Sequence, residues 1–192
     1  LDELAVEVEK AVRNGVSIVI LSDRAAAGEV PIPSLLAVSS VHNHLITVGV
    51  RTFADFVIET GDAISAHDFA ALIGYSASGI YPYMAHECIA SLAEKGAIEV
   101  SAEEGIANYN KAVLAGVISI MSKMGISTIQ SYHSAQIFEA VGFKQEFVDK
   151  HFAGTVSRVG GLGVNDVERE ENQRYDDAVA ILKSPAPEQL PS

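Results

Sequence analysis

Three polar clusters, each following an apolar run, hold most of the candidate chemistry of this chain of 192 residues. The run Ser17 to Leu21 ends in Ser22-Asp23-Arg24. The run from Phe53 ends in Glu59-Thr60-Gly61-Asp62. A third short run, from Ser78, ends in Tyr81-Pro82-Tyr83. If the runs are parallel strands, their carboxyl ends share one mouth, and parallel α/β folds do their chemistry there. Carboxylates, a guanidinium and phenols around that mouth could bind a small polar molecule. The same groups can instead satisfy each other: Asp23, Arg24 and Glu59 can pair and cap helices, which is the favoured account.

The other reactive residues carry weaker signals. The six histidines are His42, His44, His67, His86, His133 and His151. His42 and His44 lie two apart on a predicted helix and so face different ways. His86-Glu87 lacks a second histidine at the spacing of a helical zinc motif, so no metal site is assigned. Cys88 falls on the apolar stripe of a predicted helix and reads as a buried structural thiol. Lys123 sits in the last turn of a long helix, where a cation complements the macrodipole. Gly160-Gly161-Leu162-Gly163, after Arg158, is a weak phosphate signal: it is not G-x-G-x-x-G, and it reads as a plain turn. No residue is assigned a catalytic role. Ser22, Asp23, Arg24, Glu59, Tyr81, Lys123 and Arg158 stand as strand-end or domain-contact candidates.

The elements that must position these residues follow from periodicity. Residues 1–13 have helical spacing and stop at Gly15. Residues 17–22, 54–59 and 78–82 read as strands, the first buried on both faces because it is continuously apolar. Helices are predicted at 34–48, capped by Ser34, at 65–73, opened by a Ser65/Asp68 capping box, at about 84–95, and at 102–124, opened by Ser101/Glu104 and stopped by Gly125. Further along, Ile126 to Tyr132 reads as a fourth strand. Ala135 to Val141 and Gln145 to Phe152 read as short helices, and Thr155 to Gly163 as a Gly-rich loop. Asn165 and Glu168 cap a last helix over residues 165–183, and residues 184–192 read as a disordered tail. The alternation implies an α/β fold with a mostly parallel sheet and flanking helices, a partial or degenerate barrel rather than a closed one.

Composition narrows the classes. A hydrophobic share of 48% with 20% charged residues is globular. The formal net charge of -12 repels a phosphate backbone, and no Lys/Arg cluster offsets it, so nucleic acid is not an expected partner. No run approaches the ~18 apolar residues of a membrane span. The acidic start at Leu1, without Met, looks like a cut inside a longer polypeptide. One cysteine cannot hold an iron–sulfur cluster alone.

Several stretches resemble, in order, the central domain of the glutamate synthase large subunit, of the ferredoxin- or NADPH-dependent type. The longest is Met121-Ser122-Lys123-Met124-Gly125-Ile126-Ser127-Thr128, followed by Ser131-Tyr132 and Ala135 to Ala140. Upstream are Leu21 to Arg24, Pro31 to Val38, Gly74-Tyr75 and Tyr81-Pro82-Tyr83. Downstream are Phe152 to Thr155, Ser157-Arg158 and Gly160-Gly161. The likeness runs from about residue 3 to 165. The chain departs from the family where it has His42-Asn43-His44 and His67-Asp68 in place of consecutive histidines, and His133-Ser134 in place of Arg-Gly.

The resemblance implies a place in glutamate biosynthesis and ammonia assimilation. In that family an amidotransferase domain frees ammonia from glutamine. The ammonia passes through a tunnel to an FMN-binding barrel, where 2-oxoglutarate is converted to glutamate, and an iron–sulfur cluster feeds the FMN. The central domain, here residues 1–164, links the two active regions and walls part of the tunnel. No cofactor is implied for this segment itself, its partners are the amidotransferase and FMN-binding domains, and its compartment is cytoplasmic. The alternatives are a stand-alone small α/β or flavin-binding enzyme using the strand-end cluster, and an interaction module for separately encoded subunits.

Overall fold

The computed structural model describes residues 1–24 and 28–183. The first helix, α1 (Asp2–Arg13), turns Ala5, Val8 and Val12 inward and carries acids in its first turn and bases in its last, as the helix dipole favours. Three strands, β1 (Ile18–Ser22), β2 (Asp55–Glu59) and β3 (Gly79–Tyr81), form a parallel sheet in that order. Ser22 is level with Glu59, and Glu59 with Tyr81. The intervening helices are α2 (Ser34–Thr47) and α3 (Ala66–Gly74), with a 3-10 turn at Arg51–Phe53. After β3 come α4 (Tyr83–Glu94) and α5 (Ala102–Met124). The Ser65/Asp68 capping box is present in both halves, and Gly125 ends α5 with φ 72°, a left-handed backbone that glycine adopts without strain.

One core holds this part together. Leu21, Phe56 and Ile58 on one sheet face meet Val38, Val41 and Leu45 of α2, Val8 and Val12 of α1, and Phe69 and Leu72 of α3. Val113 and Val117 reach the same core from α5. Full burial of each such side chain contributes about 1.5–3 kcal/mol.

The second half departs from the sequence reading. Ile126 to Tyr132 is not a strand: after Gly125 the chain forms a short helix, α6 (Ile129–Tyr132), started by Thr128, whose hydroxyl accepts the Ser131 N–H. Ala135 to Val141 is not a helix, and the chain instead enters β4 (Glu139–Phe143). Helix α7 (Gln145–His151) lies as expected, but the glycine-rich Thr155 to Gly163 is not a loop: it is β5 (Val156–Leu162), parallel to β4. Its glycines permit close pairing, since a Cβ on Gly161 would sit 2.8 Å from the Gly142 carbonyl oxygen. The last helix, α8, spans Val164–Lys183. Asn165 lies inside it and is not its cap. The Asp166 carboxylate reaches back to the Gly163 N–H at 2.9 Å.

Three smaller corrections follow from tertiary context. Ser34 does not cap α2; Pro33 occupies the cap and Ser34 is buried within the first turn. The strand β1 is not buried on both faces. Ile18 and Ile20 are 62% and 64% exposed, because the helices cover only the Val19 and Leu21 side. Cys88 is exposed rather than buried: of the α4 stripe only Ala85 is enclosed. The expected tail, 184–192, lies outside the described residues. Among the described residues both sheets are open, and no barrel closes.

Candidate functional site

The strand register brings the first candidates together. Ser22 Oγ donates to Glu59 Oε2 at 2.6 Å, and Arg24 Nε donates to Glu59 Oε1 at 3.0 Å. A second guanidinium nitrogen of Arg24 reaches Glu87 on α4 at 3.1 Å, and the guanidinium lies 3.8 Å from the Tyr83 ring centre. Asp23 turns the other way. Its Oδ2 accepts the Thr60 hydroxyl at 2.7 Å and the Gly61 N–H at 2.8 Å. Its Oδ1 is buried and has no well-aligned partner among the described residues, although the Tyr83 hydroxyl lies beside this carboxylate. Burial, and then the negative Asp23, push the Tyr83 phenol up to about 12, so it stays protonated. Helix α8 adds Arg174, 3.6 Å from Asp62, at the same mouth. Tyr81 is exposed at the strand end, edge-on to His86.

The mouth therefore holds Ser22, Asp23, Arg24, Glu59 and Tyr81, with Thr60, Asp62 and Tyr83 of the same strand-end clusters, and the fold adds Glu87 and Arg174. Lys123 and Arg158 do not join them. Lys123 is exposed in the last turn of α5. Arg158 is on β5 of the second sheet, 76% exposed, with Glu139 at 3.5 Å.

A second polar cluster lies away from the strand ends. Arg51, in the 3-10 turn, donates from Nε to His42 Nδ1 at 2.8 Å and to the carbonyls of Ala54 (2.5 Å) and Ser76 (3.2 Å), and stacks over Phe56. A guanidinium only donates, so Nδ1 of His42 is the acceptor and the neutral ring carries its proton on Nε2. That nitrogen faces Ser134 Oγ at 3.0 Å, and Ser134 Oγ is 2.9 Å from Ser76 Oγ. His42 thus donates to Ser134 and cannot take its proton, which excludes a serine nucleophile activated by this histidine. Burial first, then Arg51 and His133, lower His42 to about 4. Ser76 and Ser134 both have left-handed backbones, φ 77° and 56°. This is the backbone that glycine adopts freely and a serine adopts at some cost. The Nε2 of His133 is buried without a partner among the described residues.

Of this cluster, His42 and Ser134 line one side of a cleft of about 650 Å³ between α1, α2 and the segments around Gln136 and Gly154. On its far side Ser40 Oγ meets His151 Nδ1 at 2.9 Å. No spacing motif signals the cluster. His42, Arg51, Ser76 and Ser134 are brought together by four different segments.

For a cofactor, the donor set decides. One thiol cannot supply an iron–sulfur cluster, and no group of three His, Cys, Asp or Glu among the described residues is placed to hold a metal. Gly160 and Gly161 are in a strand, so they form no phosphate-cradling turn at a helix start.

Residues 1–144 match the family described as the glutamate synthase central domain. The chain is similar to the glutamate synthase [NADPH] large chain of Bacillus subtilis, 44% identical over 93% of this chain and 12% of that protein. It is similar to the chloroplastic ferredoxin-dependent glutamate synthase of Oryza sativa, 45% identical over 85% of this chain and 11% of the relative. It is 40% identical to the NADPH large chain of Azospirillum brasilense over 88% of its length and 11% of theirs. The chain spans about an eighth or less of these relatives. With a match over residues 1–144 and identities of this size over most of its length, the chain belongs to the glutamate synthase central-domain family.

Proposed function

We propose that this chain is a segment of a glutamate synthase large chain that links the glutaminase and FMN-binding domains and helps wall the passage taken by ammonia. The FMN and the iron–sulfur cluster belong to other parts of that enzyme, which works in the cytoplasm. The observation that carries this reading is the self-satisfied mouth. Ser22, Arg24 and Glu87 converge on or beside Glu59, and Asp23 is held by Thr60 and Gly61. Groups committed to each other in this way, with the second oxygen of Asp23 beside the protonated Tyr83, position loops. The cleft lends support: a wall for ammonia needs hydrogen-bonding groups that do not protonate it, and His42 is neutral, with its proton directed to Ser134.

On this reading the 192-residue chain is colourless and forms no glutamate. Its absorbance spectrum and a glutamate assay check this, and stoichiometric FMN or measurable turnover sinks the scaffold in favour of a stand-alone flavin enzyme. Arg24 acts through architecture. Arg158, held among the described residues by a long ion pair to Glu139, acts through contact with a neighbouring domain. In an intact large chain Arg158→Ala raises the ammonia released per glutamate formed, or lowers thermal stability, and leaves glutamine hydrolysis intact. Unchanged coupling and unchanged stability make Arg158 a solvated surface charge and end the contact idea.

A further inference from the structure

We infer that the free edge of β5 is a docking site for a parallel β-strand from elsewhere in the same large chain; this rests on the reading of the chain as a segment of that protein. The second sheet has two parallel strands, β4 and β5. All-parallel sheets occur almost only with both faces covered, because their crossovers place helices there, and a parallel pair is slightly less stable per residue than an antiparallel one. Here the cover is one-sided. Ala140 and Phe143 pack with Phe147 and Val148 of α7. Val141, Val156 and Val159 are 69%, 50% and 57% exposed. Beyond its ladder with β4, and the Lys144 N–H that donates to the Leu162 carbonyl just past that ladder, no further backbone hydrogen bond ties β5 to another described segment.

The connectivity points to the missing partner. β4, α7 and β5 complete one strand–helix–strand unit, and α8 follows β5 directly, with Asp166 fastening the junction at Gly163. A parallel strand followed at once by a long helix is the first part of a second such unit. Its closing strand belongs beside β5, reached by a right-handed crossover. Helix α8 has the form this requires. Val167, Glu171, Tyr175 and Val179 make a half-buried stripe at four-residue spacing, whereas Leu182 is 84% exposed at its end. The occupant is a strand of the large chain, because the relatives carry some eight times the length matched here. A second copy of this chain is disfavoured: two-fold symmetry would pair β5 with itself antiparallel, against the parallel ladder.

The test is amide hydrogen exchange in an intact large chain carrying this segment. A docked strand protects the β5 amides on both edges. Expected, therefore, is slow exchange throughout 156–162, with the amides facing away from β4 at least about tenfold slower than in the 192-residue chain alone. Alternating fast and slow amides in the intact protein overturn the proposal. Val159→Lys supplies a second reading. It is near neutral in the 192-residue chain, where the site is already exposed, and increases proteolysis of the intact chain several-fold around β5. An equal effect in both overturns the proposal. So does a 192-residue chain that sediments as a dimer and loses the dimer on Val159→Lys, because the occupant is then a second copy. Loss of edge protection with coupling intact refutes the strand alone and leaves the scaffold reading standing.

Discussion

His42 shows how one residue sets a pH limit. It is buried beside Arg51, which removes any gain from protonation, and it is lowered to about 4. The unfolded chain binds the same proton at the ordinary value near 6.5. Between those values the unfolded state holds more protons, so the folded state loses ground as pH falls. Stability is whole above about 6.5 and erodes through the window down to about 4, by up to about 3 kcal/mol for this group. His133 and His151 are lowered too, each mainly by burial, and act in the same direction. Denaturant titrations at several pH values should show this slope, and His42→Asn should flatten it while costing some stability at neutral pH through the lost Ser134 bond. An undiminished slope in the variant assigns the acid sensitivity to other groups.

Among the elements, α3 and α5 cross closely at Gly116. Gly116 lies mid-helix, where replacement by alanine ordinarily stabilises by about 0.5–1 kcal/mol. Here a Cβ would run into the Cβ of Ala66 in the first turn of α3. Propensity and packing therefore predict opposite signs. The neighbour is a short side chain on a helix backbone and cannot swing aside, so packing decides, and Gly116→Ala should destabilise by about 1–2 kcal/mol. Thermal unfolding of the variant checks the sign; a stabilised protein would falsify the close crossing. The same helix shows why α5 was legible and β5 was not. Ser101 and Gly125 mark the ends of α5 and an apolar period fills it, whereas β5 is written with two glycines and a charge. Glycine signals both turn and close strand approach, and the partner that distinguishes them, Gly142, lies in another strand.

At the scale of the molecule, charge opposes compactness. A net charge of -12 is spread over a surface whose ion pairs, such as Arg24 with Glu59 and Glu87, are partly exposed and individually weak. Self-repulsion then outweighs pairing, and salt screens repulsion between distant charges more than contact pairs. Raising NaCl from about 20 to about 200 mM should stabilise the chain by about 1 kcal/mol, or about 2–4 °C in Tm. A falling Tm would mean that the ion pairs at the strand mouth contribute more than the repulsion costs. No described helix is long and apolar enough to cross a membrane.

By itself the sequence determined the alternation of elements in the first two-thirds of the chain, the parallel sheet, the mouth formed by Ser22, Asp23, Arg24, Glu59 and Tyr81, and the family. Each of these is encoded locally, in apolar period, in caps, or in contiguous strings such as Met121 to Thr128. Tertiary structure alone decided which faces are covered and which distant side chains meet. Ile18 and Ile20 look like core because burial depends on a second layer, which a strand's own residues do not specify. Arg51, His42, Ser76 and Ser134 form one hydrogen-bonded group because α2, the 3-10 turn, the end of α3 and the segment after α6 converge on a single point. No spacing along the chain records that convergence, since it is fixed only when the core under Phe56 closes.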